Sequence, residues 1–327
     1  MSRSTLFVGT FNTPALFTLE FDSEDRSLEV VAKSEATGAH SWLSLNSDHS
    51  VLYATAWTEP PGLAAYKVVR PTGSAGNDGA EERPKLKLIN SVQTAARSGY
   101  CCSSDVAVYS AGGPTGEVFK IDQRTGGFAQ EIQKLNFVDS KGQKDDGGVM
   151  DFGGLRHGSH SADLSPDGKL LYIADIGRNC IFVYQVAADG TLSLTDKNIA
   201  PRPNDGPRHV TPHPSGKFVY SLQEHTSMVD VFEVIDNKRL EWRQGVKIIP
   251  KDMSPSLFWA DEVRVSPGKG YLYASTRGLE PETKGWVAVF KLNDTGLCES
   301  EEPIDLWETP TSGKFSGPHN LPRELSS

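Results

Sequence analysis

ADLSPDGKLLYIA at 162–174 and VTPHPSGKFVYSL at 210–222 share one plan: a short strand, a polar turn, and a second strand carrying an aromatic residue. SLNSDHSVLYATA at 44–56 and VRVSPGKGYLYAS at 263–275 repeat it, and CSSDVAVYSAG at 102–112 is a weaker copy. Each reads as a β-hairpin, because the turn residues adopt backbone conformations that strand residues avoid. The anchor tyrosines are Tyr53, Tyr109, Tyr172, Tyr220 and Tyr273, spaced by 56, 63, 48 and 53 residues, and Phe7 in LFVGT anchors a sixth copy. A third apolar-alternating segment follows each anchor: LFTLEF (16–21), LAAYKVV (63–69), GEVFKI (116–121), CIFVYQV (180–186), MVDVFEV (228–234) and WVAVFKL (286–292). Fourth strands follow in most copies, as in LKLINSV (86–92) and LEWRQGVKII (240–249). Four short strands recurring about every 50 residues, with no helical periodicity, predict an all-β chain of β-propeller blades.

The blades fall near 1–36, 37–94, 95–135, 158–200, 204–250 and 258–307 of one propeller domain, with an irregular tail over 308–327. Gly-, Asp-, Ser- and Lys-rich stretches at 71–85 and 136–158 read as surface loops. A seventh blade is expected near residue 325, but the tail after Trp307 carries no strand pattern. The expectation is therefore a propeller with six recognisable blades and no closing blade.

The chain has 327 residues, 33 Lys and Arg against 42 Asp and Glu, a net charge of −9, and 37% hydrophobic residues. That composition fits a globular protein, and its acidic balance without a basic stripe argues against nucleic acid as a partner. Apolar runs such as Leu170 to Ala174 are strand-sized, far below the roughly 20 residues a membrane helix needs. MSRSTLFVGTFN lacks the apolar core of a secretion signal, so a cytoplasmic location is the expectation. Four cysteines, two of them adjacent at Cys101 and Cys102, suggest free and mostly buried thiols rather than a disulfide framework. Exposed edge strands would leave a homo-oligomer open.

Pseudo-symmetry turns sequence offset into geometry. Ser41, Arg97, His160, Arg208 and Asp261 stand twelve residues before the anchors, and Trp57, Gly113, Ile176, Glu224 and Arg277 stand four after. Antiparallel pairing brings the start of one strand to the end of the next, so both sets belong to one rim. Convergent ionisable groups in a concavity suit a small-molecule site, although polar strand ends or a plain Arg208–Glu224 ion pair would give the same pattern. By strand alternation His209 and Glu262 should point the other way, while His49 and His213 should be solvated in turns. His157 and His160 lack a third ligand nearby, so no metal is expected. No GxSxG, phosphate-binding loop or GxGxxG occurs, so no nucleotide cofactor is expected either.

GSHSADLSPDGKLLYIAD (158–175), GPRHVTPHPSGKFVYSLQE (206–224) and ADEVRVSPGKGYLYASTRG (260–278) resemble the lactonase-type seven-bladed propellers. That family includes 6-phosphogluconolactonase and the fungal 3-carboxy-cis,cis-muconate lactonizing enzyme, the carboxymuconate cyclase of aromatic catabolism. FVGTFNTPALFTLEFD (7–22), SWLSL (41–45) and ETPTSG (308–313) lean towards the cyclase. The resemblance implies a cycloisomerase without metal or organic cofactor. It implies that His160 donates the proton, Arg208 and Arg277 clamp substrate carboxylates, and Glu224 holds the imidazolium. Arg97, Trp57 and Asp261 are further substrate-binding candidates on the rim. A sugar lactone hydrolase and a non-catalytic scaffold are the alternatives.

Overall fold

Leu170–Asp175 (LLYIAD) and Phe218–Gln223 (FVYSLQ) are buried at every residue. A strand buried on both faces needs a packed layer on each side, which isolated hairpins cannot provide. The computed structural model, which describes residues 3–70, 83–137 and 158–313, supplies those layers as six antiparallel sheets. The predicted loops at 71–85 and 136–158, together with His157, lie almost wholly outside the described residues, as does the tail beyond residue 313.

The first sheet has three strands, Arg3–Val8, Ala15–Asp22 and Ser27–Glu35. The other five have four each and begin at Leu43–Leu45, Tyr100–Ser103, Ser159–Leu164, Pro207–Pro212 and Phe258–Val265. In all six the strands are hydrogen-bonded in sequence order, so every connection is a hairpin. The sole helical element among the described residues is a single turn at Pro255–Leu257, and no helix there is long and apolar enough to cross a membrane. This is the all-β, bladed architecture the tyrosine spacing predicts.

The blades group into two compact units, Met1–Ile199 with Ile235–Leu240, and Ala200–Val234 with Glu241–Ser327. The first carries sheets one to four and the second the bulk of sheets five and six. Inside each unit the cores lie between neighbouring sheets. Tyr53, Leu63, Cys101, Val108 and Phe119 form one in the first unit, and Leu222, Val231, Ala260, Val263 and Phe290 form one in the second. Burying such side chains contributes roughly 1.5–3 kcal/mol each, so each blade is held chiefly by its neighbour.

The anchor tyrosines show how that stacking is pinned. Tyr53 donates its hydroxyl hydrogen to Gly126 O at 2.7 Å, and Tyr220 to Gly296 O at 2.6 Å, in each case reaching into the next blade's turn. Both glycines have positive φ, +77° and +106°, a conformation that side chains disfavour. Tyr273, the anchor of the sixth blade, is 39% exposed instead, and no further sheet follows it among the described residues. None of the four cysteines is in a disulfide, and Cys101, Cys180 and Cys298 are buried.

Candidate active site

In sheets four, five and six the ladder between first and second strands slips once. It slips between Ser159 and Ser161, between Pro207 and His209, and between Ala260 and Glu262. The residues passed over are His160, Arg208 and Asp261, three of the five expected twelve places before the anchors. A β-bulge bends its strand and re-aims the extra residue, which frees these side chains from the in-out alternation of the blade.

In the second unit the bulges bring four of the expected side chains together. Glu224 follows the strand Phe218–Gln223, and its backbone is tied on both sides: it donates N–H to Gly206 O and accepts from Ala260 N. Its Oε2 lies 2.8 Å from Arg208 Nε. Arg208 Nη2 lies 3.1 Å from Asp261 Oδ1, and its Nη1 donates to the Asp261 carbonyl oxygen. The same Asp261 Oδ1 is 3.7 Å from Arg277 Nη1. Arg277 pairs with Trp259 across the sixth sheet, and its guanidinium carbon sits 5.4 Å from the centre of that indole ring. ETPTSG closes on this residue: Gly278 donates to Ser312 O at 2.8 Å, and a Cβ on Gly313 would come within 3.3 Å of Arg277 Cβ.

Burial pushes the Glu224 carboxyl above its ordinary range. Arg208 and Arg277 pull it back down, and Asp261 pushes it up again. Glu224 Oε1 is buried with no hydrogen-bond partner, and His225 Nε2 lies 3.9 Å from it. A carboxyl so placed can hold or release a proton.

The bulge overturns the expectation that His209 and Glu262 face away. Arg208 Nη1 lies 3.1 Å from Nε2 and 3.4 Å from Nδ1 of His209, hence against the ring rather than along one lone pair. His209 Nδ1 is 3.0 Å from Glu262 Oε1, and Glu262 Oε2 is 3.3 Å from Arg264 Nη2. Burial holds the His209 pKa below normal, with Glu262 opposing and Arg208 adding to that shift. A neutral imidazole donating from Nδ1 to Glu262 satisfies every contact. The hydrogen bond from His209, the neighbouring Arg264 and the Val263 backbone N–H hold Glu262 down to about 2 despite its burial. His213 also departs from expectation: it is buried beneath its turn, with Nδ1 2.7 Å from Ser215 Oγ and its ring edge-on to Tyr220.

The first unit carries the other candidates. His160 is partly buried at its bulge. Trp57 donates from Nε1 to Ser98 O at 3.0 Å, takes Phe11 edge-on at 5.2 Å, and has the Arg97 guanidinium 5.3 Å from its ring centre. Arg97 precedes its strand instead of occupying a bulge, and it is exposed and paired with Glu59 at 3.2 Å. Ser41 likewise lies outside a strand, 3.0 Å from Thr55 Oγ1. No group of three potential metal ligands occurs among the described residues.

Similarity to known proteins bears on the same segments. Residues 5–309 match the family described as "Lactonase, 7-bladed beta-propeller". The chain is 46% identical to muconate cycloisomerase 1 of Cutaneotrichosporon cutaneum over 95% of its own length and 81% of that protein. It is 26% identical to the carboxy-cis,cis-muconate cyclase of Neurospora crassa, covering 95% of this chain and 84% of that one. Among solved structures, the periplasmic gluconolactonase of Pseudomonas aeruginosa superposes with a TM-score of 0.76 at 21% identity, covering 94% of this chain and 83% of that one. That last likeness speaks to the fold. Blade repeat, sheet order and sequence similarity agree: the chain belongs to the seven-bladed lactonase β-propeller family.

Proposed function

We propose that this enzyme is a cycloisomerase that closes 3-carboxy-cis,cis-muconate to a lactone. The observation that carries the reading is a pair of guanidinium groups, Arg208 and Arg277, facing a single carboxylate oxygen. The names of the muconate-converting relatives supply the chemistry that pair would serve. One substrate carboxylate adds through oxygen across the conjugated double bond. The electron pair moves towards the far carboxylate, and a proton is then delivered to carbon. Bonds made and broken balance within one molecule and one proton, so no metal or organic cofactor takes part.

Arg208 and Arg277 clamp carboxylates and stabilise the charge that builds on the far one. Holding one reactive conformer is the other contribution, since an intramolecular addition needs orientation more than encounter. His160 is the proton donor, and Glu224, with its raised pKa, is the second proton-handling group. Arg97 and Trp57 are secondary contacts for the substrate's remaining groups. The net charge of −9 repels a polycarboxylate at long range, so the arginines act within a Debye length of roughly 8 Å.

A second reading is favoured by the 46% identity to a protein named muconate cycloisomerase: the substrate is cis,cis-muconate, without the third carboxylate. Loss of diene absorbance in the ultraviolet tests both when each acid is mixed with purified protein. Turnover of 3-carboxymuconate, abolished in His160→Ala and reduced at least tenfold in Arg277→Ala, is the expected result. Turnover of muconate alone would select the second reading. Activity only on a sugar lactone would replace both with hydrolysis.

A further inference from the structure

We infer that Asp261 occupies the place of a ligand carboxylate between Arg208 and Arg277, and thereby limits how many negative charges a substrate can bring. The inference rests on the carboxylate-clamp reading above and adds a specificity determinant to it.

Three observations lead there. First, one atom faces both clamps: Asp261 Oδ1 is 3.1 Å from Arg208 Nη2 and 3.7 Å from Arg277 Nη1. That is the position a bound carboxylate oxygen would take between two guanidinium groups. Second, Asp261 is the accessible member of the cluster. Its side chain is 44% exposed, against 26% for Arg277, 10% for Arg208 and 2% for Glu224. A ligand arriving from solvent meets this carboxylate before it meets the arginines' shared face. Third, the local charges nearly cancel. Arg208 and Arg277 are opposed by Glu224 and Asp261, so an anion gains little from the cluster unless one acid is neutral or displaced. Glu224 is buried, and its carboxyl is pushed above its ordinary range. Asp261 is then the charge against which a substrate competes.

The bulge makes this testable with a single atom change. Arg208 also donates to the Asp261 backbone carbonyl, contacts His209, and pairs through Nε with Glu224. None of these depends on the Asp261 carboxylate. Asp261→Asn therefore removes the charge while the guanidinium stays anchored, and Asp261→Ser serves should Asn introduce a new contact. Removing one negative charge a few ångströms from a bound carboxylate, in a partly exposed setting, corresponds to roughly a threefold to tenfold change in affinity.

Calorimetric titration of the whole chain with propane-1,2,3-tricarboxylate, and separately with glutarate, is the test. Both variants should bind the tricarboxylate about threefold to tenfold more tightly than wild type at low salt, with a smaller gain for glutarate. The gain should vanish when Arg277→Ala is added. In turnover, kcat/KM for 3-carboxymuconate relative to muconate should rise by a similar factor, mainly through KM. Unchanged or weaker tricarboxylate binding in folded variants would overturn the inference, as would no binding by any of the proteins. Tighter binding without turnover of either muconate would leave the inference standing and sink the proposed reaction instead.

Discussion

Asp175 and Arg178 in the fourth blade and Glu224 and Arg208 in the fifth are both buried acid–arginine pairs, yet their surroundings differ. Asp175 Oδ2 takes Arg178 Nη1 at 2.6 Å, its Oδ1 takes the Arg178 backbone N–H at 2.7 Å, and both side chains are 1% exposed or less. That pair spends both carboxylate oxygens on fastening one turn. In the fifth blade the fastening falls to others: Arg202 bridges Asp205 and Asp230, and Gln223 and Trp242 also donate to Asp230. Glu224 is relieved of that duty, keeps one oxygen without a hydrogen bond, and shares Arg208 with the half-exposed Asp261. A carboxylate with both oxygens engaged is a brace; one with an oxygen to spare is available for chemistry.

Removing one partner from the sealed pair is expected to have the largest effect. Asp175→Ala leaves Arg178 buried without its counter-charge and should cost about 3–5 kcal/mol of stability in urea unfolding. Activity per folded molecule should stay near wild type; an activity loss at unchanged stability would erase the contrast. Glu224→Gln should do the reverse. The amide is isosteric with the protonated carboxyl, so stability should move by less than about 1 kcal/mol. Turnover of the muconate substrate should fall about a hundredfold, close to 2.7 kcal/mol of barrier.

His209→Ala should be milder. It removes the ring that supports Arg208 Nη1, and the displaced guanidinium should raise KM by about tenfold, near 1.4 kcal/mol. His209→Gln, which keeps an acceptor at that height, should recover part of the loss.

A further expectation is a pair of opposite pH slopes in thermal unfolding. Glu262 is held down to about 2 from an ordinary 4.5, so its stabilising contribution is complete above pH 4.5 and is lost as pH falls towards 2. Glu224 is shifted upward, so the folded state keeps its proton after the unfolded state has released it. Stability therefore declines as pH rises from 4.5 through that raised value. Glu262→Gln should flatten the acid side of the profile and Glu224→Gln the neutral side; matching slopes would refute the assignment of opposite roles.

Strand placement was legible because the signal is collective. LLYIAD and FVYSLQ carry it in every residue, and a Tyr-anchored hairpin repeated five times leaves few alternatives. The cluster of Arg208, Glu224, Asp261 and Arg277 was legible through the same offsets. The His209–Glu262 contact was not, because a bulge without a glycine leaves no mark in the sequence, and strict alternation sends both residues to the wrong face. Offset reasoning did not show that Arg97 precedes Tyr100–Ser103, the four-residue first strand of its blade, or that it pairs with Glu59 on the surface. His213 misled for a different reason. A turn position suggests solvent, but Ser215 and Tyr220 together cover the imidazole.

The three bulges separate two kinds of inheritance. A residue in register with the blade answers to the hydrophobic core beneath it, whereas His160, Arg208 and Asp261 sit outside that register. Exchanging them leaves the paired register of the ladder on either side unchanged. One scaffold can thus be retargeted by three substitutions, from imidazole to guanidinium to carboxylate, without being refolded. A library randomised at those three positions alone should diversify the anions bound, with the soluble fraction lowest where Arg208 is replaced, because Glu224 then loses its buried partner.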